Sequence, residues 1–197
     1  MLKIIVSGCN GHMGQSVIGL CSGMDEVEVC AGFNRTPVAK NGFPVFSDPM
    51  ECPLEADAVI DFSNPANLDG LLRLSRERGV PVVLCTTGYS DAQLAAIDEA
   101  AAGCKLFKSG NMSLGINLMM KLARQAAAVL GDNFDVEILE RHHNRKLDAP
   151  SGTALMLADA VAGGLPHENE YVFERHSVRQ KRSREEIGIS SMRGGTI

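Results

Sequence analysis

The sequence predicts an α/β protein in which a doubly wound parallel sheet is followed by a smaller α+β domain. Three observations lead there. Short, almost wholly apolar runs end abruptly at glycine or at polar turns, the pattern of strands buried on both faces. These runs alternate with helix-like stretches from residue 1 to about residue 111, and such alternation is the mark of parallel β-α-β winding. Beyond Ser113 the rhythm changes to long helices separated by strands of alternating character.

Taken in order, LKIIVS (Leu2 to Ser7) reads as the first buried strand and is followed by a helical pattern through Val17, Ile18 and Cys21. VEVCAGF (Val27 to Phe33) reads as the second strand and ADAVIDFS (Ala56 to Ser63) as another. PANLDGLLRLSRERG is helical, with Pro65 in its first turn, where a missing N–H costs nothing. VPVVLCTTG (Val80 to Gly88) is a strand closing on a turn, SDAQLAAIDEAAA a helix capped by Ser90, and KLFKSGN a short strand. SLGINLMMKLARQAAAVLG is a long helix, FDVEILERHH a strand of alternating polarity, and SGTALMLADAVAGG a further helix. The last stretch, from Tyr171, reads as two strands around a highly charged turn. The expected domains are therefore residues 1–111 and 112–197.

Composition narrows the function classes. With 197 residues, 45% hydrophobic and 22% charged, the chain is an ordinary globular protein long enough to bury a core. A net charge of −5 argues against a dedicated nucleic-acid binder, and no apolar run is long enough to span a membrane. MLKIIVSGC turns to Gly and Asn too early for a signal peptide. Cys9, Cys21, Cys30, Cys52, Cys85 and Cys104 form no CxxC pair and lie mostly in apolar stretches, as reduced core thiols do. The expected compartment is the cytoplasm. No metal site is expected: His142 and His143 diverge on a strand, and no Cys or carboxylate joins them and His176 at ligand spacing.

The first strand runs into GCNGHMG, with Gly8, Gly11 and Gly14 ahead of a helix. Glycines there allow a tight turn and let the backbone approach a pyrophosphate seated on the helix amino terminus, so the fold is expected to be Rossmann-like and to bind a dinucleotide. The second strand ends about 20 residues later, where a carboxylate would select the ribose hydroxyl of NAD. Asn34 and Arg35 stand there instead. With no negative charge to repel a 2′-phosphate and a guanidinium to pair it, NADPH is expected ahead of NADH.

The segment RHHNRKLDAPSGTA (Arg141 to Ala154) concentrates two histidines, three cations and a Pro-Ser-Gly-Thr helix start. Ser151 is a natural N-cap, and Gly152 and Thr153 fall in a first turn whose free N–H groups favour an anion. A carboxylate docked on Ser151, Gly152 and Thr153 would gain charge from Lys146 and a histidine. One of His142 and His143 can act as an acid while the other binds, because histidine titrates near working pH. Beside a dinucleotide, such a pocket implies hydride transfer to an anionic C=N or C=O substrate.

Four stretches together resemble one enzyme family: GCNGHMG, the turn Thr86–Thr87–Gly88, SGNMSLGIN and above all ERHHNRKLDAPSGTA. The chain is similar along its whole length to 4-hydroxy-tetrahydrodipicolinate reductase (dihydrodipicolinate reductase), an enzyme of diaminopimelate and lysine biosynthesis. The resemblance implies that His142 is the proton donor with Lys146 as catalytic partner. It implies that His143, Lys146, Ser151, Gly152 and Thr153 hold the carboxylates of a cyclic dicarboxylate. NADPH or NADH would be held by Gly8, Cys9, Asn10, Gly11, His12 and Met13, by Asn34 and Arg35, by Cys85, Thr86 and Thr87, and by Ser109, Gly110, Asn111 and Met112. It also implies a homotetramer built by the second domain.

Three features depart from the family pattern: His12 replaces a frequent Arg, Cys85 replaces the first glycine of a GTTG turn, and the chain stops at MRGGTI. Family members continue there, so the second domain is expected to be incomplete, and the chain of 197 residues to be poorly active alone and prone to association. Two other functions are weighed. A dinucleotide-sensing regulator without turnover would keep GCNGHMG but has no need of the His-Lys loop. A nucleic-acid binder would use RHSVRQKRSR, but that stretch lacks interleaved aromatics and runs straight into Glu185 and Glu186, so it reads as a solvated turn.

Overall fold

The computed structural model describes residues 1–196. They divide into two compact units, Met1–Gly110 and the residues from Asn111 onward.

The first unit contains strands β1 (Leu2–Ser7), β2 (Val27–Phe33), β3 (Val45–Phe46), β4 (Ala58–Asp61), β5 (Val82–Leu84) and β6 (Leu106–Lys108). They form one sheet in the order β3-β2-β1-β4-β5-β6, with every pairing parallel. Helices α1 (His12–Cys21), α2 (Leu68–Arg78) and α3 (Asp91–Ala100) supply the crossovers. Successive side chains of a strand face opposite ways, which explains the apolar run Ile4, Ile5 and Val6 in β1. Ile4 and Val6 pack with Cys9, Cys21 and the α1 residues Val17 and Ile18. Ile5 joins the other layer, with Phe33, Val59, Val82 and Leu84 against Leu68, Leu71 and Leu72 of α2 and Ile97 of α3. Each such buried leucine or isoleucine contributes about 1.5–3 kcal/mol.

Local signals set the helix ends. Ser90 and Gln93 complete a reciprocal capping box on α3, and α2 stops at Gly79, whose φ of 68° suits glycine. Pro65 opens a separate 3-10 turn, Pro65–Asn67, and α2 follows it. The two-residue edge strand β3 was not expected from the sequence, since a pair of residues carries no periodicity. None of the six cysteines is disulfide-bonded.

The second unit contains α4 (Leu114–Leu130), β7 (Val136–His142), α5 (Gly152–Ala162), β8 (Glu170–Val172) and β9 (Glu186–Arg193). Its sheet runs β7-β9-β8, again all parallel. The last two strands, read as lying around a charged turn, are therefore parallel neighbours. Parallel neighbours need a crossover, supplied here by residues 173–185. That charged connection is not wholly solvated either: Arg175 pairs with Glu137 and Glu186, and Arg182 with Asp135 and Glu137. One sheet face carries Ile138, Ile187 and Ile189 against Ala154, Ala158 and Val161 of α5 and Ala127 of α4. On the other, Leu139 is 64% exposed.

Candidate functional site

The first unit's sheet reverses its winding between β1 and β4, and ligands of such sheets sit beyond the carboxyl ends of the strands at that point. Gly8 follows β1 there with φ 77°, and a Cβ on it would collide with the Phe62 carbonyl and lie 2.9 Å from Ser63 Cα. Glycine is thus required twice, by its dihedral and by the approach of the β4 loop. Gly11 donates to the Gly8 carbonyl at 2.9 Å and is the N-cap of α1, with no side chain capping the first turn and no acid in it. The uncapped amides suit a pyrophosphate. A cavity of about 320 Å³ lies here, lined by Gly8, Gly11, Asn34, Arg35 and the loop from Phe62 to Asn67.

Asn34 ends β2 with its side chain on the Thr36 carbonyl at 2.9 Å. Arg35 is exposed and forms no ion pair among the described residues, so its guanidinium is available to a phosphate. His12 and Met13 are exposed in the first turn of α1, Cys9 is buried, and Asn10 donates to the Val38 carbonyl at 3.0 Å. Of Cys85, Thr86 and Thr87, only Thr87 is exposed. Burial first, then the charge of Asp61, pushes the Cys85 thiol up to about 11, so it stays protonated and unreactive. The Thr86 hydroxyl donates to Asp61 at 2.7 Å and accepts the Ser63 N–H at 2.9 Å, while Ser63 Oγ donates to Asp61 at 2.5 Å. The wholly buried Asp61 therefore pins the loops after β4 and β5 together.

Ser109, just past β6, donates its N–H to the Leu84 carbonyl at 3.0 Å, and Gly110 is exposed. Asn111 lies in the second unit, where its amide donates to Thr153 Oγ1 at 2.9 Å; Met112 beside it is exposed.

In the second unit, β7 and β9 run in register, with Glu140 opposite Ser191 and His142 opposite Arg193. These four extend the Ile138–Ile189 face, which turns from apolar to polar at its carboxyl end. His142 Nδ1 contacts Glu140 Oε2 at 2.5 Å, and the Arg193 guanidinium donates twice to Glu140, at 2.8 and 2.9 Å. Burial alone would raise the Glu140 carboxyl. The bonds from Arg193, His142, Ser191 and the Ser151 amide outweigh it and hold the carboxyl down at about 2.

His143 Nδ1 is enclosed with no hydrogen-bond partner among the described residues. Lys146 is 23% exposed and pairs with Asp148 at 2.8 Å. Ser151 is buried and caps α5 by accepting the Ala154 N–H, and its own N–H goes to Glu140 at 3.1 Å. Its hydroxyl proton is what remains for a ligand. Gly152 and Thr153 are half-buried at the first two positions of α5, where N–H groups have no helical acceptor. A cavity of about 610 Å³ opens beside His142 and Arg193 and is lined further by Gly194, Gly195 and Thr196.

Sequence reasoning missed Glu140 and Arg193. Glu140 was legible as the residue two before His142 on an alternating strand. Arg193 was not, because it joins only through the pairing of β9 with β7. Another cavity, of about 630 Å³ between Lys3, Asp57 and Arg78, lies at the amino-terminal edge of the first sheet, away from the Gly8 turn. Its Arg78 guanidinium is taken up by the carbonyls of Met50 and Cys52. Among the described residues, no cluster of His, Cys, Asp or Glu could hold a metal, and no helix is long and apolar enough to cross a membrane.

A nucleotide-binding sheet joined to a unit carrying a histidine, a lysine and free helix amides defines an oxidoreductase of the pyridine-nucleotide class. Residues 2–112 match the family described as dihydrodipicolinate reductase, N-terminus, and residues 115–197 match dihydrodipicolinate reductase, C-terminus. The 4-hydroxy-tetrahydrodipicolinate reductase of Caldanaerobacter subterraneus subsp. tengcongensis is 47% identical over 197 residues, covering 100% of this chain and 78% of that protein. The enzyme of the same name from Clostridium tetani is 42% identical, covering 100% of this chain and 77% of the relative. A solved dipicolinate-bound dihydrodipicolinate reductase from Paenisporosarcina sp. TG-14 superimposes with a TM-score of 0.71 at 29% identity, over 98% of this chain and 79% of that one. The chain belongs to the dihydrodipicolinate reductase family.

Proposed function

We propose that this protein is a 4-hydroxy-tetrahydrodipicolinate reductase, which uses NAD(P)H to convert its cyclic dicarboxylate substrate to tetrahydrodipicolinate on the route to diaminopimelate and lysine. The observation that carries the reading is the loop from Arg141 to Ala154. It sets an imidazole braced by a buried carboxylate on the same short segment as a lysine and the first-turn amides of Gly152 and Thr153, which have no acceptor within the helix.

A bound nicotinamide supplies the hydride. The residues of this chain bind, orient and protonate. Gly152, Thr153 and the Ser151 hydroxyl receive a substrate carboxylate, and Lys146 and His143 add charge and a further donor. His142 gives a proton at Nε2, with Lys146 beside it in the loop. The α1 amides of His12 and Met13, the Gly8–Gly11 turn, Thr87 and the backbone of Cys85, Thr86, Ser109 and Gly110 in the first unit, with Asn111 and Met112 at the start of the second, hold the dinucleotide. Asn34 and Arg35 favour NADPH: a neutral amide and a guanidinium with no ion pair among the described residues stand where a carboxylate would reject a 2′-phosphate. The reduced thiols support a cytoplasmic setting, and the open face around Leu139 supports a homotetramer.

The test is loss of NAD(P)H absorbance with enzymatically generated substrate, run with each cofactor, and with pyridine-2,6-dicarboxylate as a competitor. Consumption of neither cofactor defeats the reading. Turnover without competition by the dicarboxylate defeats the pocket assignment alone.

A further inference from the structure

We propose that Glu140 is a positioning residue for the proton donor: its carboxylate holds the His142 ring by Nδ1, leaves Nε2 as the nitrogen that passes the proton, and ties that ring to the start of α5. The inference rests on His142 being the acid.

Glu140 and His142 are two apart on β7 and so project to one face. The Glu140 side chain is 9% exposed, at the polar end of a face otherwise filled by isoleucines. A carboxylate in such a place is costly unless its lone pairs are filled. Here Oε2 takes His142 Nδ1 at 2.5 Å and Arg193 Nη1 at 2.9 Å. Oε1 takes Arg193 Nη2 at 2.8 Å and the Ser151 N–H at 3.1 Å. The arginine supplies the compensating charge, so the group is an ionised acceptor with no proton of its own. Nδ1 is therefore the donor in that contact.

The chemical consequence is directional. The imidazolium has one N–H committed to Glu140, which leaves the one at Nε2 for a ligand, and His142 lines a cavity together with Arg193 and Gly194. When the Nε2–H bond breaks, the proton goes to substrate and the electron pair stays on Nε2. The ring left behind is the neutral Nδ1–H tautomer, which the carboxylate already accepts, so no proton has to move between ring nitrogens. The Ser151 N–H on the same carboxylate also fixes the α5 amino terminus relative to the acid. One side chain thereby sets the spacing between proton source and carboxylate cradle.

The experiment reads the tautomer directly. Protein labelled with 15N-histidine, at a pH where the ring is neutral and without cofactor or substrate, should show His142 as Nδ1–H, although free imidazole prefers Nε2–H. The His142→Gln spectrum assigns the resonance. Glu140→Gln keeps the volume but can present either amide atom, so the ring should become a tautomer mixture. Its kcat should fall by about 10–100-fold, with KM for cofactor and substrate within about twofold, a split that a general loss of folding would not give. An Nε2–H ring in the unmodified protein overturns the inference while leaving His142 as the acid. An unchanged kcat in folded Glu140→Gln also overturns it. A fully active His142→Gln overturns the acid assignment on which it rests. Should Glu140→Gln not fold, the tautomer of the unmodified protein decides alone.

Discussion

Adding a single methyl at Gly14 should separate the glycine turn's structural demand from ordinary helix propensity. Gly14 is buried in the first turn of α1, and a Cβ there would fall on the Gly8 carbonyl oxygen and 2.9 Å from Cys9 Cα. Ordinary contact begins at 3.4 Å, and the obstacles are backbone atoms that cannot rotate away. Relief requires the start of α1 to move from the Gly8 turn by on the order of 1 Å, with an overpacking cost of about 1–3 kcal/mol. That displaces the free amides offered to the pyrophosphate, and a shift of this size can cost up to about 100-fold where geometry is critical. Gly14→Ala should therefore lower Tm by roughly 2–12 °C, at about 2–4 °C per kcal/mol for a chain of this size. It should also weaken NADPH binding, read by cofactor fluorescence, at least about tenfold.

Gly19→Ala, on the same helix with nothing within 4 Å of its Cβ, is the control. It should be neutral or gain about 0.5–1 kcal/mol, with cofactor affinity unchanged. If Gly14→Ala matches the control in both Tm and affinity, the close-packed turn is not what holds the cofactor and the reasoning fails.

His142→Gln should lower kcat by about 10²–10⁴-fold with little effect on substrate KM, because an acid acts in the transition state; Lys146→Ala should damage both, as steady-state kinetics will show. Asn34→Asp should shift the kcat/KM ratio toward NADH by like-charge repulsion of the 2′-phosphate, and a ratio that does not move removes Asn34 from cofactor choice. The Glu140 carboxyl is lowered in the folded chain from 4.5 to about 2, so its contribution to stability is complete above about 4.5 and is lost as pH falls toward about 2. Melting curves of the unmodified protein and Glu140→Gln should consequently converge through that window, and a Tm gap independent of pH would show that Glu140 is not ionised in the fold.

What the sequence determined by itself was whatever depends on neighbours along the chain. LKIIVS and VEVCAGF read as strands because a segment buried on both faces is mostly apolar, and their limits match the observed β1 and β2. Ser90, Ser113 and Ser151 each cap the helix that follows, because a cap needs only a side chain and the next three amides. The Gly8–Gly14 turn and the Arg141–Ala154 loop were legible for the same reason: their members are brought together by connectivity alone. Tertiary structure decided everything that depends on strand register. Asp61 meets Thr86 across 25 residues because β4 lies beside β5, and Glu140 meets Arg193 across 53 because β9 lies beside β7. The same pairing turned two terminal strands that read as flanking a turn into parallel neighbours. A strand's own residues record which faces are buried but not which strand will stand next to it, and so Arg193, which holds the carboxylate that braces His142, appeared only once the sheet had assembled.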